Sequence, residues 1–331
     1  MEYLLLIGGL ILLVVSGNYL VESAVDIAKK FKLSSLTIGM TIVAFGTSAP
    51  ELMVSVQAAL NGFPEIALGN VVGSNIANIG LILGLTALIL PIKTSRRSVK
   101  IDWPFLVLIS ILLVVFAWKG SFDRIEGAVA VLLLILFTFR SIKSSRQSQE
   151  EEKESSLPRR SIQLSVVIFI IACIGLAYGA DFMVQGASAI ATKLGISERV
   201  VSVLIVGVGT SLPELTASVI AAIKKEDDMS LGNIIGSNIF NILAVLGISS
   251  LIKPIAFSDT GFHSDFIWML FFAVFLYFGI INVNDNIRKF KDTKKIKALF
   301  STDNGLVGRI WGGLAVTLYI IYAVLQFVPK S

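Results

Sequence analysis

One stretch of this 331-residue chain occurs twice. Residues 42–52 read I-V-A-F-G-T-S-A-P-E-L and residues 205–215 read I-V-G-V-G-T-S-L-P-E-L, identical at eight of eleven positions with a constant offset of 163. The echo continues without a gap. L-G-N-V-V-G-S-N-I-A-N-I at 68–79 is answered by L-G-N-I-I-G-S-N-I-F-N-I at 231–242, and Pro91-Ile92 by Pro254-Ile255. A chain that repeats itself in this way is constrained to fold as two related halves. Each copy sets a glutamate, Glu51 or Glu214, inside a long apolar stretch. An ionisable side chain is costly there, and a functional site is the default reading.

The surrounding stretches set the class. The chain is 55% hydrophobic and 15% charged, whereas ordinary soluble domains carry about a quarter charged residues. Apolar runs recur at or near the ~20 residues that a helix needs to cross a bilayer. The composition predicts an all-α integral membrane protein with ten spans, near 3–25, 36–60, 66–90, 103–118, 125–140, 162–190, 199–223, 230–252, 265–282 and 308–328. Met1-Glu2 offers no basic leader and no small-residue cleavage site follows, so the first run is expected to be a retained helix. Cys173 stands alone in an apolar run, which excludes disulfides and thiolate metal sites. His263 is the one histidine, predicted in a loop, so histidine-based zinc or acid–base chemistry is also out.

Lys and Arg gather on the cytoplasmic side of membrane proteins. Taking alternate loops from the first, 22 of the 28 basic residues fall on one side and six on the other. This predicts a plasma (inner) membrane protein with both termini outside and the 141–161 linker in the cytoplasm. The mild basic excess therefore belongs to topology, and no nucleic-acid partner is implied. The linker is polar and mixed in charge, and reads as a flexible hinge between a first five-helix repeat, 1–140, and a second, 162–331. The basic stretch 284–304 is expected along the inner surface. Because five is odd, the second copy would be inverted relative to the first, the architecture of many secondary transporters whose site lies at the midplane between repeats.

Pro50 lacks an amide hydrogen and its ring collides with the carbonyl four residues back, so it breaks its helix; Pro213 does the same in the second copy. The freed carbonyls belong to Gly46 and Gly209. Irregular backbone at membrane depth is tolerated only where it is buried in protein or lines a watery cavity. The first break offers bare carbonyls, the hydroxyls of Thr47 and Ser48, and the Glu51 carboxylate; the second offers Thr210, Ser211 and Glu214. All are hard oxygens, suited to hard cations such as Ca²⁺ or Na⁺. In the next span Asn70, Ser74 and Asn78 form a polar stripe at i, i+4 and i+8, repeated by Asn233, Ser237 and Asn241. Gly69 and Gly73, like Gly232 and Gly236, make a small-xxx-small pattern for close helix approach. Interhelical hydrogen bonding is the bland account of such a stripe, but its repetition beside each broken carboxylate segment favours a cation wall.

With G-T-S-A-P-E at 46–51, G-T-S-L-P-E at 209–214 and two G-S-N-I-x-N stretches, the chain resembles the sodium/calcium exchanger family of calcium:cation antiporters over essentially its whole length. The lack of a large insertion between the halves is similar to the compact prokaryotic members. The resemblance implies ten helices in two inverted halves around a central cluster of four cation sites. It implies as ligands Glu51, Thr47, Ser48, Ser74, Asn78 and the carbonyl of Ala44, with Glu214, Thr210, Ser211, Ser237, Asn241 and the carbonyl of Gly207 from the second half. Several relatives carry aspartate in one half where this chain has Asn78 or Asn241. Asparagine at both lowers the local charge and leaves the third sodium, potassium dependence and stoichiometry open.

The expected activity is Na⁺/Ca²⁺ antiport by alternating access, with the first and sixth spans as the moving gate. H⁺/Ca²⁺ or K⁺-dependent exchange is the alternative, since a buried glutamate is neutralised by a proton as well as by Na⁺. A cation channel or a membrane-embedded enzyme fits the oxygen-rich, internally duplicated site less well. The expected partners are Ca²⁺, Na⁺ and the lipid bilayer, with no cofactor, and the chain is expected to work as a monomer. In the gate spans Asn18 and Asp181 occupy matched positions, read as helix-boundary or packing residues, and Glu22 and Asp26 are read as interfacial.

Overall fold

A computed structural model describes residues 1–150, 159–194, 207–256, 261–281 and 305–326. The described chain is helical apart from two short strand pairs, and the all-α expectation holds. We label the helices α1 Glu2–Phe31, α2 Ser35–Thr47, α3 Ala49–Leu60, α4 Glu65–Ile89, α5 Ser98–Phe116, α6 Arg124–Ser145, α7 Ile162–Lys193, α8 Leu212–Ile223, α9 Asp227–Ile252, α10 Ser264–Ile280 and α11 Arg309–Leu325. Among them α1, α4, α5, α6, α7 and α9 are each long and apolar enough to cross a membrane, and α2 and α3 together make a seventh span bent by 47°.

Local chemistry sets the boundaries. α1 ends where Lys32 adopts a left-handed conformation (φ 53°) and its amide closes back on the carbonyls of Ala28 and Lys29. Ser34 then caps α2, its hydroxyl accepting from the Thr37 amide at 3.2 Å. Pro50 and Pro213 sit in the first turns of α3 and α8, where the missing amide hydrogen costs least.

α4 and α9 form the centre. Their apolar windows are 72% and 83% buried within the protein, against 22–33% for α1, α5, α6 and α7. The outer helices instead expose Leu, Ile, Val and Phe along their lengths, as Ile7, Ile11, Leu132, Ile135 and Ile171 do. Such a surface is stable only against lipid, whose tails are as apolar as the side chains. Charge pairs are kept to helix ends: Lys193 meets Glu2 at 2.9 Å, Lys119 meets Asp123 and Glu126 at 2.8 and 2.9 Å, and Glu22 meets Arg160 and Lys224 at 2.9 and 3.0 Å.

Two antiparallel pairs tie the ends of the helices together. Strand β1 (Ile92–Thr94) pairs with β4 (Gly305–Val307), and β2 (Ser121–Phe122) with β3 (Ile255–Ala256). Ile92 and Ile255, the echo residues after the two prolines, are both fully buried strand residues.

The structure corrects two sequence expectations, the start of the hinge and the setting of His263, and refines those for Asn18, Asp181 and Asp26. The polar linker is not a hinge from residue 141, because the helix that begins at Arg124 runs on to Glu150. Ser141 and Ser145 are buried, and the Ser34 amide donates to Ser145 Oγ at 2.7 Å, so a polar sequence there still has a packed face. His263 lies in the helical stretch Gly261–Ile280 and not in a loop. Asn18 and Asp181 sit within long helices rather than at their boundaries; the Asn18 amide donates to the Val14 carbonyl, and Asp181 accepts from Gln185 one turn on. Asp26 is buried, accepting from the Arg159 amide at 2.9 Å. Residues 151–158 of the linker, 199–206 of the seventh expected span and the basic stretch 284–304 lie outside the described residues.

Candidate functional site

Both helix breaks form where the prolines require them. α2 stops at Thr47, Ser48 takes a non-helical conformation (φ −88°, ψ 7°), and α3 leaves at the 47° bend. In the second copy a helical turn, Gly207–Gly209, is followed by Thr210 and Ser211 (φ −92°, ψ 3°) before α8 begins. The two breaks thus share a conformation at the residue three before each glutamate. Ahead of the first break lies a π-helical stretch, Gly39–Val43. Two more π-helical stretches, Asn78–Leu83 and Asn241–Leu246, begin at the paired asparagines. Insertions of this kind cluster at functional sites because they re-aim side chains and loosen the backbone ladder.

Close helix crossing brings the first break onto α9. A methyl at Gly232 would lie 2.6 Å from the Leu36 carbonyl oxygen, and one at Gly236 would lie 2.6 Å from Met40 Cα. The glycines therefore let α2 and α9 touch backbone to backbone, as the small-xxx-small pattern predicts. Gly73, its counterpart on α4, meets no atom within 4 Å among the described residues.

That crossing joins the halves chemically. Thr47 Oγ1 donates to Asn233 Oδ1 at 3.2 Å and lies 3.4 Å from Ser237 Oγ. Ser48 Oγ donates to Glu214 Oε1 at 2.9 Å. Within each half, the striped asparagine holds the glutamate's own helix. Asn70 Nδ2 donates to the Glu51 carbonyl at 3.1 Å and to Ser55 Oγ at 2.9 Å. Asn233 Nδ2 donates to the Glu214 carbonyl at 3.4 Å and to Ser218 Oγ at 3.0 Å. The stripe thus divides its labour: its first asparagine braces the broken helix, while the second lies deeper with its π stretch.

Glu51 and Glu214 are each 1% exposed, and Thr47, Ser48, Ser74, Asn78, Ser211, Ser237 and Asn241 are buried with them. Thr210 is half-buried. Several of these polar atoms have no hydrogen-bond partner among the described residues: Oε2 of both glutamates, the side-chain oxygens and nitrogens of Asn78 and Asn241, and Ser211 Oγ. An unsatisfied buried polar group costs about 1–3 kcal/mol, more when charged, which marks this cluster as a candidate site. The oxygens among them are what a hard cation satisfies. Of the two carbonyls implied by resemblance, that of Ala44 already accepts the Ser48 amide at 2.9 Å and Thr47 Oγ1 at 3.3 Å. Gly207 opens the short helical turn before Thr210.

Cavities lie on both sides of α1's midpoint, one of about 260 Å³ lined by Glu22, Asp26, Lys29 and Lys224. A cavity of about 180 Å³, lined by Pro50, Ala177, Asp181, Gly209, Thr210 and Pro213, lies beside the second break. At the opposite end of α1, Glu22 bridges to Lys224 at the end of α8 and to Arg160 before α7.

Sequence reasoning missed Ser55 and Ser218 as partners of the striped asparagines. The signal was present, since both stand four residues after their glutamate at the repeat offset. The π stretches left no such mark in residue type.

Comparison with known proteins places this geometry in a family. Residues 1–143 and 164–328 match the family model described as sodium/calcium exchanger protein. The chain is 40% identical over 246 residues to the uncharacterized membrane protein MJ0091 of Methanocaldococcus jannaschii, covering 73% of this chain and 79% of that one. It is 34% identical over 297 residues to the sodium/calcium exchanger MaX1 of Methanosarcina acetivorans, covering 78% and 85%. Its structure is similar to that of the sodium-calcium exchanger NCX_Mj soaked with zero Na⁺ and Ca²⁺, with a TM-score of 0.80 at 32% identity over 99% of both chains. The chain is a multi-pass membrane transporter, not an enzyme, and belongs to the sodium/calcium exchanger family.

Proposed function

We propose that the protein exchanges Na⁺ for Ca²⁺ by alternating access at a site built on Glu51 and Glu214. The observation that carries this reading is the buried meeting of two carboxylates with unpartnered amide and hydroxyl oxygens where both helix breaks converge. In this reading Glu51, Thr47, Ser48, Ser74, Asn78 and the Ala44 carbonyl face Glu214, Thr210, Ser211, Ser237, Asn241 and the Gly207 carbonyl around the cations. The scaffold is ten spans in two inverted halves, 1–140 and 162–331, with both termini outside. The repeated brace of asparagine, glutamate carbonyl and serine in each half supports the internal symmetry.

The mechanism follows from charge. Two ionised carboxylates in a poorly solvated place cost several kcal/mol or more to carry across empty. One Ca²⁺ or two Na⁺ neutralise them, so loaded forms reorient and empty ones do not. Competition for the same oxygens makes the flux an exchange. On the proposed sidedness the cavity beside Thr210 lies on the outer half of α7, and the Glu22–Lys224 bridge lies toward the inner end of α1, where it lines a second cavity of about 260 Å³.

The test is radiolabelled calcium uptake into proteoliposomes loaded with sodium or with choline at matched pH, with a proton gradient as a third arm. Uptake that needs internal sodium supports the proposal. Uptake driven by protons keeps the site and replaces the coupling ion. Calcium flux that needs neither gradient overturns exchange in favour of a channel.

A further inference from the structure

The long helices α1 and α7 carry a matched pair of polar positions, one turn apart. Asn18 and Glu22 on α1 answer Asp181 and Gln185 on α7 at the offset of 163. Acid and amide have changed places. On α7 the acid is the member nearer the middle of the helix, whereas on α1 it is the member nearer the helix end.

The two acids also differ in their surroundings. Glu22 meets Arg160 and Lys224 at 2.9 and 3.0 Å. The cavity of about 260 Å³ that it lines sets three acids, Glu22, Asp26 and Glu226, against three bases, Lys29, Arg159 and Lys224. Asp181 has no basic partner among the described residues; it accepts from Gln185 Nε2 at 2.8 Å. It lines the cavity of about 180 Å³ beside Pro50, Thr210 and Pro213, where no base stands among the described lining residues. At 1.5 Å per residue, Asp181 is about 18 Å of helix away from the Lys193 end of α7. An acid at such depth faces a watery cavity or a paired group rather than lipid. The cavity beside Thr210 is what the structure offers it.

We propose that Asp181 is a specificity-determining residue of the outer approach: an unneutralised carboxylate that concentrates cations beside the second break and favours Ca²⁺ over Na⁺ there. Gln185 holds the carboxylate in place. The inner approach has an amide, Asn18, at the matched depth and a balanced set of charges, so it lacks this bias. Interaction energy is proportional to ionic charge, so a fixed negative charge enriches a divalent ion by the square of the factor for a monovalent one. Near a partly solvated carboxylate these factors are about tenfold and about threefold. This inference rests on the exchange reading above and on its sidedness.

The test compares the two faces of the full-length protein in sodium-loaded membrane vesicles, right-side-out and everted, by initial rates of radiolabelled calcium uptake. Asp181→Asn keeps the shape and removes the charge. In right-side-out vesicles it should raise half-saturating Ca²⁺ about tenfold at unchanged maximal rate, and in everted vesicles shift it less than about twofold. The bath Na⁺ that half-inhibits uptake from the outer face should rise only about threefold. Asp181→Glu keeps the charge and should behave like the parent. In the parent itself, raising choline chloride from about 0.05 to about 0.5 M should weaken Ca²⁺ half-saturation more at the outer face than at the inner, because salt screens the carboxylate. Equal losses at both faces, a lower maximal rate at unchanged half-saturation, or equal shifts for Ca²⁺ and Na⁺ would make Asp181 structural and overturn the proposal while exchange stands. A shift confined to everted vesicles overturns its outer placement. If choline-loaded parent vesicles take up calcium as fast as sodium-loaded ones, the exchange reading fails and this inference with it.

Discussion

The hydroxyl of Ser48 lies 2.9 Å from Oε1 of Glu214. One residue of the first helix break thus caps the carboxylate of the second, and it does so a single turn before Glu51. The two glutamates, 163 residues apart in the chain, share one buried hydrogen-bonded neighbourhood, which is the condition for one ion to neutralise both.

Replacing either carboxylate removes half of that charge. Glu51→Gln or Glu214→Gln should abolish calcium-coupled uptake while the protein stays monodisperse in detergent, because the amide keeps the shape and most hydrogen bonds. Normal exchange in either variant would sink the site assignment.

Adding charge should also be costly. Asn241 begins a π stretch with both side-chain polar atoms unpartnered. Asn241→Asp would leave one net negative charge on a Ca²⁺-loaded site, so the maximal calcium rate should fall. The Na⁺ dependence should steepen, as a third sodium is then needed for neutrality. Uptake measured against sodium concentration reads both effects, and an unchanged Hill slope counts against the neutrality mechanism.

Two glycines should behave differently. Gly236→Ala forces α2 away from α9 and should destabilise the protein by about 1–3 kcal/mol. Gly8→Ala, on the exposed face of α1 with open space around it, should cost little or gain from better helix propensity. Thermal unfolding in detergent separates the two, and equal losses would mean that the α2–α9 crossing is not the tight one.

The partly buried bridge between Lys224 and Glu22 ties α1 to the end of α8. Such pairs contribute about 0.2–1 kcal/mol. Lys224→Met should therefore shift the population toward inner accessibility by a factor of roughly 1.4 to 5, read in a Cys173→Ala background as lower labelling of an Ala177→Cys reporter by an impermeant maleimide added outside. Labelling that rises would place the bridge in the opposite state.

Much of this was legible because the physics is local. Proline after Thr-Ser breaks a helix wherever it stands, apolar runs of span length have few uses other than crossing a bilayer, and repetition at a fixed offset names equivalent residues. Glu51, Glu214 and the Asn–Ser–Asn stripes could be paired on that basis alone. What local rules did not reach was the path of the 141–150 segment, whose polar sequence hides a packed face at Ser141 and Ser145. Nor did residue type distinguish Asn70 and Asn233, which brace helices, from Asn78 and Asn241, whose amides have no partner among the described residues.

By itself the sequence determined the membrane class, the duplication and the identity of the buried oxygens, since hydropathy, proline geometry and identity at an offset are properties of short segments. Tertiary structure decided which half presses on which. Thr47 and Ser48 reach Asn233 and Glu214 because Gly232 and Gly236 let α2 lie against α9. Thr210 lines a cavity, and Ser211 Oγ has no hydrogen-bond partner among the described residues. Two halves with equal side chains make equal local structure, but a packed protein occupies one arrangement at a time, and no segment read alone carries that choice.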